Sequence, residues 1–147
     1  MTKLIECPRD AMQGIQQFIP TKIKAEYINL LLKVGFDTID FGSFVSPKAI
    51  PQMQDTAEVL AQLDLSQTKS KLLAIIANTQ GAETACNFPE IQYLGFPFSI
   101  SENFQMRNTH KTISQSLVSL QEILNLADAK NKQVIAYLSM GFGNPYG

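Results

Sequence analysis

Cysteine is scarce in this chain of 147 residues, with Cys7 and Cys86 the only two. They stand far apart and form no Cys-x-x-Cys pair, which fits a reducing compartment better than a disulfide scaffold. Charge is thin as well. Charged residues make up 17%, the net charge is −1, and lysine and arginine never gather into a run. That excludes a nucleic-acid footprint and a basic membrane-surface patch. Long apolar runs are missing too: "LLAIIA" falls far short of the roughly 20 residues that cross a bilayer. The opening "MTKLIECPRD" shows no apolar h-region. The expectation is a soluble cytoplasmic protein, or one of an organelle matrix if eukaryotic, with no nucleic-acid or membrane partner. No GxGxxG opens the first strand and no GxxxxGK[ST] occurs, so neither a dinucleotide fingerprint nor a phosphate loop is supported. The terminal "GFGNPYG" reads as a turn.

What is present is a core and an alternation. Hydrophobic residues reach 45%, and the length suits one domain. Residues 3–7 read as a short strand. The segment "TKIKAEYINLLLKVG" spaces Ile23, Tyr27, Leu30, Leu31 and Val34 as a helical stripe, which predicts the core-facing side of a helix. "DTIDFGSFV" predicts a second strand. After Pro51, Met53, Ala57, Leu60 and Leu63 predict a second helical face. "KLLAIIANT" reads as a strand covered on both sides, because its apolar residues do not alternate. A short helix is expected over 81–87, a fourth strand in "EIQYLGFPF", and a long helix from Thr109 onward with Ile113, Leu117, Leu120, Leu124 and Ala127 inward. "KQVIAYLSMG" predicts a fifth strand.

Strand–helix alternation predicts βαβ units and a parallel sheet. The sheet is either open and doubly wound or part of a (β/α)8 barrel. Polar residues cluster at strand C-termini: Arg9 and Asp10, then Asp40 and Ser43, then Asn78. Barrel enzymes place their sites at that rim, but five strands are too few to close an eight-stranded ring. Arg9 and Asp10 are neighbours at the mouth of the first strand. Successive residues of a strand point to opposite faces, so the two charges look placed for something other than each other; a structural pair bracing the rim is the plain alternative.

The stretches "ECPRDAMQG", "DTIDFGSFVSPKAIPQMQDTAEVL" and "YLSMGFGNPYG" resemble the N-terminal half of 3-hydroxy-3-methylglutaryl-CoA lyase. That family belongs to the metal-dependent TIM-barrel lyases and Claisen-type synthases. The resemblance covers essentially the whole chain. It implies that residues 1–147 form the N-terminal part of a single α/β (β/α)8 TIM barrel, about five βα units. It implies cleavage of the acyl-CoA substrate 3-hydroxy-3-methylglutaryl-CoA to acetyl-CoA and acetoacetate, a step of leucine and ketone-body metabolism, with a divalent cation, Mg²⁺ or Mn²⁺. The implied catalytic residue is Arg9, on the enolate oxygen, and the implied metal ligand is Asp10. The implied substrate-side residues are Gln13, Asp40 (where the family usually has a glutamate near the metal), Ser43, Asn108 and Tyr137. The usual RDGLQ is RDAMQ here, with Ala11 in place of glycine, and Ile135 stands where an arginine often does.

The chemistry explains these residue types. Breaking a carbon–carbon bond beside a tertiary alcohol removes the hydroxyl proton while electrons collapse into a thioester enolate. A hard cation lowers the pKa of that hydroxyl, and a guanidinium stabilises charge that appears only as the bond breaks. The family's His-x-His ligands lie in a later strand and are not in this sequence. The alternative is therefore a catalytically incomplete half-barrel that binds acyl-CoA or a partner without turnover, open to homo-oligomer formation through its sheet edges. His110, the single histidine, reads as an exposed residue at the start of the long helix. Cys7 reads as a small core residue and Cys86 as a helix residue. Asn78 reads either as a site residue or as a cap.

Overall fold

The computed structural model describes residues 2–146. Five parallel strands lie side by side in chain order: β1 (Ile5–Glu6), β2 (Thr38–Ser43), β3 (Lys71–Ile75), β4 (Ile91–Ser99) and β5 (Gln133–Ser139). Parallel neighbours need a crossover between them. The crossovers carry α1 (Pro8–Gln13), α2 (Thr21–Val34), α3 (Thr56–Leu60), α4 (Thr79–Cys86), α5 (Glu102–Thr109) and α6 (Ile113–Ala129). The result is a curled half-barrel, one of the two arrangements that the alternation allows and the one that the resemblance implies. Gly147, the last residue of the expected terminal turn, lies outside the described residues.

The two-residue period of the strands sorts side chains into two layers. Phe41, Leu72, Ala74, Leu94 and Phe96 turn outward and pack against Ala25, Ile28 and Leu32 of α2, Val59 of α3, Ala82 and Ala85 of α4, and Ile123 and Ala127 of α6. Leu73, Ile75 and Tyr93 turn the other way, with Val45, Ile135 and Tyr137 against them. This inner layer holds the functional candidates.

All five expected strands form; the helices differ in detail. The helix expected after Pro51 is broken into a 3-10 turn (Pro51–Met53) and α3 (Thr56–Leu60). Two helices, α1 and α5, were not expected. Ser101 caps α5 by accepting from the Phe104 N–H, and a capping box of Thr112 and Gln115 starts α6, so His110 sits in the turn between them with φ 56°. His110 is exposed, as expected, but it ends one helix instead of starting another.

The face of α2 is the larger correction. Four of the five residues expected to face the core are in solvent, with Ile23 51% exposed, Tyr27 39%, Leu30 63% and Val34 66%, and only Leu31 packs against the core as expected. The opposite stripe, with Lys24, Ala25, Ile28 and Leu32, is buried. The helix is apolar on two sides, and periodicity alone does not choose between them. A buried pair chooses. Lys24, 2% exposed, donates from Nζ to Asp55 Oδ1 at 2.6 Å and to the Gln52 carbonyl, and it lies 4.1 Å from the Phe18 ring centroid. Thr21 donates to the other Asp55 oxygen at 2.7 Å. Gln52 in turn accepts from the Ile19 N–H and donates to the Ile15 and Gln17 carbonyls, each at 2.9 Å. The cluster fixes the rotation of α2 and fastens the loop that follows α1. On α6 the expected stripe divides likewise, with Ala127 buried but Leu117 and Leu124 exposed.

Among the described residues β1 pairs only with β2, and β5 only with β4. The sheet therefore has two unpaired edges. Among the described residues no helix is long and apolar enough to cross a membrane.

Candidate active site

The chain leaves β1 through Cys7 and enters α1 at once, with Pro8 at its first position. Proline suits that position, because its missing N–H would be unpaired there anyway. Arg9 and Asp10 are thus helical residues, not strand residues. The i, i+4 spacing brings Gln13 beside Arg9. Arg9 Nη1 donates to Gln13 Oε1 at 2.9 Å and to Asp10 Oδ1 at 3.0 Å, while Gln13 Nε2 donates to the same Asp10 oxygen at 3.1 Å. The other edge of the guanidinium faces β2. Arg9 Nε donates to Asp40 Oδ1 and Oδ2 at 3.2 and 3.1 Å, and Nη2 to Oδ2 at 2.5 Å. Asp40 is 0% exposed.

Burial pushes the Asp40 carboxyl above the ordinary carboxylate range, with Arg9 pulling it back. The guanidinium loses hydration too, but its bonds to Asp40 raise its already high pKa. Burial also lifts the Cys7 thiol, and the nearby Asp40 charge adds to this. Cys7 therefore stays a thiol and makes a poor nucleophile. It is half-buried at the cavity, not in the core as expected.

Arg9, Asp10, Gln13, Asp40, Asn108 and Tyr137 line one cavity of about 690 Å³ beside the C-terminal ends of the strands. Six of the seven expected site residues are thus brought together. Ser43 is not among the lining residues. Register slips between Asp40 and Gly42, and Ser43 ties itself to α3 instead. Its N–H donates to Thr56 Oγ1 and its carbonyl accepts from the same hydroxyl, both at 3.0 Å. Its own hydroxyl accepts from the Val45 N–H at 3.2 Å. Asn78 is a cap: it accepts from the Gly81 N–H at 2.8 Å. Cavity walls missed by sequence reasoning are Val45, Ile50, Phe104 and Thr109. The last two sit on α5, whose Ser101 cap and Glu102 in the first turn were its available signal.

Tyr137 depends on a glycine opposite. A Cβ at Gly95 would stand 3.1 Å from Tyr137 Cε2 and 2.5 Å from Ile75 Cδ1, so a side chain there would press on the ring and displace the end of Ile75. Burial first, and the Asp40 charge second, push the Tyr137 phenol up to about 12. It is a neutral hydroxyl at any physiological pH. Because the folded pKa exceeds the unfolded value of about 10, this group stabilises the fold below pH ~10, and that contribution is lost as pH rises from about 10 to about 12. Absorbance titration of phenolate should show a late-ionising step that is absent in Tyr137→Phe.

The donor set does not complete a cation site. Among the described residues no group of three or more His, Cys, Asp and Glu could hold a metal ion. Both Asp40 oxygens are taken by Arg9. Only Asp10, with a side chain 65% exposed, keeps one oxygen uncommitted. Magnesium is hexacoordinate and calcium takes six to eight oxygens.

No family model matches the chain. It is 33% identical over 147 residues to the cytoplasmic 3-hydroxy-3-methylglutaryl-CoA lyase of Rattus norvegicus, covering 98% of this chain and 42% of the rat protein. It is 34% identical over 139 residues to the hydroxymethylglutaryl-CoA lyase of Bacillus subtilis, covering 95% and 46%. A solved lyase from Acinetobacter baumannii, in complex with coenzyme A and 3-methylmalate, superposes with a TM-score of 0.90 at 32% identity, covering 98% and 47%. The chain spans a little under half the length of the relatives it matches. By sequence and by fold, then, it is a homologue of the N-terminal half of the hydroxymethylglutaryl-CoA lyases.

Proposed function

We propose that this chain supplies the acyl-CoA-facing half of an enzyme that splits 3-hydroxy-3-methylglutaryl-CoA into acetyl-CoA and acetoacetate. The observation that supports this is the gathering of Arg9, Asp10, Gln13, Asn108 and Tyr137 around one cavity at the strand ends. In the reaction the substrate hydroxyl gives its proton to a base and becomes the ketone of acetoacetate, the carbon–carbon electron pair moves into the thioester as an enolate, and a proton taken up at the enolate carbon completes acetyl-CoA. Arg9 is the donor for the enolate oxygen. It is already oriented before the charge appears, which is the condition for transition-state stabilisation without reorganisation. Tyr137 adds a neutral O–H on the same wall. A divalent cation belongs to this reading only with donors beyond those of residues 2–146; Asp10 would contribute one oxygen. The compartment proposed is the cytoplasm or an organelle matrix.

The test supplies the chain with the C-terminal half of the Bacillus subtilis lyase, Mn²⁺ and the substrate, and follows acetyl-CoA. Release that needs both polypeptides supports the reading. Assembly of the two halves without release refutes it.

A second reading is favoured by the two unpaired strand edges and the exposed stripe Ile23, Tyr27, Leu30 and Val34. Open parallel edges flanked by apolar surface invite pairing with another chain. The chain is then expected to self-associate in sedimentation experiments. The variant Leu30→Lys/Val34→Lys should shift it towards monomer with its circular dichroism unchanged.

A further inference from the structure

The bonds around Arg9 assign Asp40 a task that differs from cation binding. A guanidinium has five N–H groups. Nε–H and one Nη2–H go to Asp40, and the two on Nη1 go to Asp10 and Gln13. One N–H, on Nη2, has no partner among the described residues, and Arg9 lines the cavity. Asp40 reaches Arg9 from a different element 31 positions along the chain, is wholly buried, and spends both oxygens on it. The short aspartate side chain on a paired strand has little freedom to swing elsewhere.

We propose that Asp40 is a positioning residue. It fixes the guanidinium so that a single N–H remains for the substrate oxygen, and it takes no part in holding a cation. Asp10 and Gln13 close the other edge of the same clamp. The use of the free N–H rests on the lyase reading above; the clamp itself does not. A bidentate, largely buried arginine–carboxylate contact fixes direction as well as distance, which a lysine or a water-bridged carboxylate would not.

The test is nuclear magnetic resonance on the whole chain, which contains only two arginines, Arg9 and Arg107. Arg107→Lys assigns the Arg9 signal. The Arg9 Nε–H is expected to exchange at least tenfold more slowly than that of Arg107. A through-hydrogen-bond coupling from Arg9 Nε to the Asp40 carboxyl carbon is expected in the unsubstituted chain and should persist in excess Mg²⁺. In Asp40→Asn the protection should fall to within about threefold of Arg107, and Asp40→Glu should restore it. Absence of the coupling in the parent chain overturns the proposal, as does its loss on adding Mg²⁺. Full Arg9 protection in a folded Asp40→Asn variant also overturns it. These signals do not depend on turnover, so a failed clamp and a failed lyase reading give different results.

Discussion

Arg9→Met is expected to lower folding stability by about 3–5 kcal/mol, the usual consequence of leaving a buried charge without its partner. The charge left behind is Asp40, wholly buried and bonded through both oxygens to Arg9 alone. The loss should show as a lower denaturant midpoint at an unchanged slope. A second substitution separates fold from chemistry. Arg9→Met/Asp40→Leu removes both charges and should recover most of the stability, since an apolar pair of similar volume often matches a buried ion pair. It should not recover catalysis. Without a donor at the enolate oxygen, the barrier in the complemented enzyme is expected to rise by about 3 kcal/mol, roughly 100-fold in rate. Asp10→Asn, by contrast, changes an exposed carboxylate and should alter stability little. If Arg9→Met unfolds no more easily than Asp10→Asn, the clamp is not formed in solution.

Lys24→Met is expected to have the second large effect, again about 3–5 kcal/mol. The methionine keeps the apolar stem against Phe18 but leaves Asp55 with Thr21 as its remaining side-chain partner. The Gln52 carbonyl loses its ammonium donor at the same time. Because Gln52 also holds Ile15, Gln17 and Ile19, amide exchange should quicken across residues 15–19 before it does in the strands. A double-mutant cycle with Asp55→Leu should return a coupling of several kcal/mol, as contacting buried partners give. A loss below about 1 kcal/mol would mean that solvent screens the pair as it does at a surface.

These two clusters mark where the sequence was readable and where it was not. The strands could be read because "LLAIIA" and its companions carry a two-sided burial pattern that no helix of this length needs. The site could be read in outline because Arg9 and Asp10 directly follow β1 while Asp40 and Tyr137 lie on β2 and β5, and a parallel sheet brings such positions to one side. The inward face of α2 could not be read. Its two apolar stripes are equivalent until Lys24 meets Asp55, a contact 31 residues apart that periodicity does not encode. Ser43 was misplaced for a related reason. A slip in strand register after Asp40 sends it to Thr56, and alternation counted along one strand cannot see the slip. The helical start at Pro8 was visible, since proline at a first helical position is a known signal, yet the charged pair beside it drew the reading towards a strand end. Asp40 was expected near a metal from the resemblance; its geometry gives it to Arg9.

The central claim is that Arg9, held by Asp40 at the cavity, meets the acyl-CoA. Calorimetric titration of the chain with 3-hydroxy-3-methylglutaryl-CoA tests it most directly. The account predicts saturable binding that the folded Arg9→Met/Asp40→Leu variant weakens at least tenfold. No binding to the parent chain, or equal binding to the variant, would contradict it.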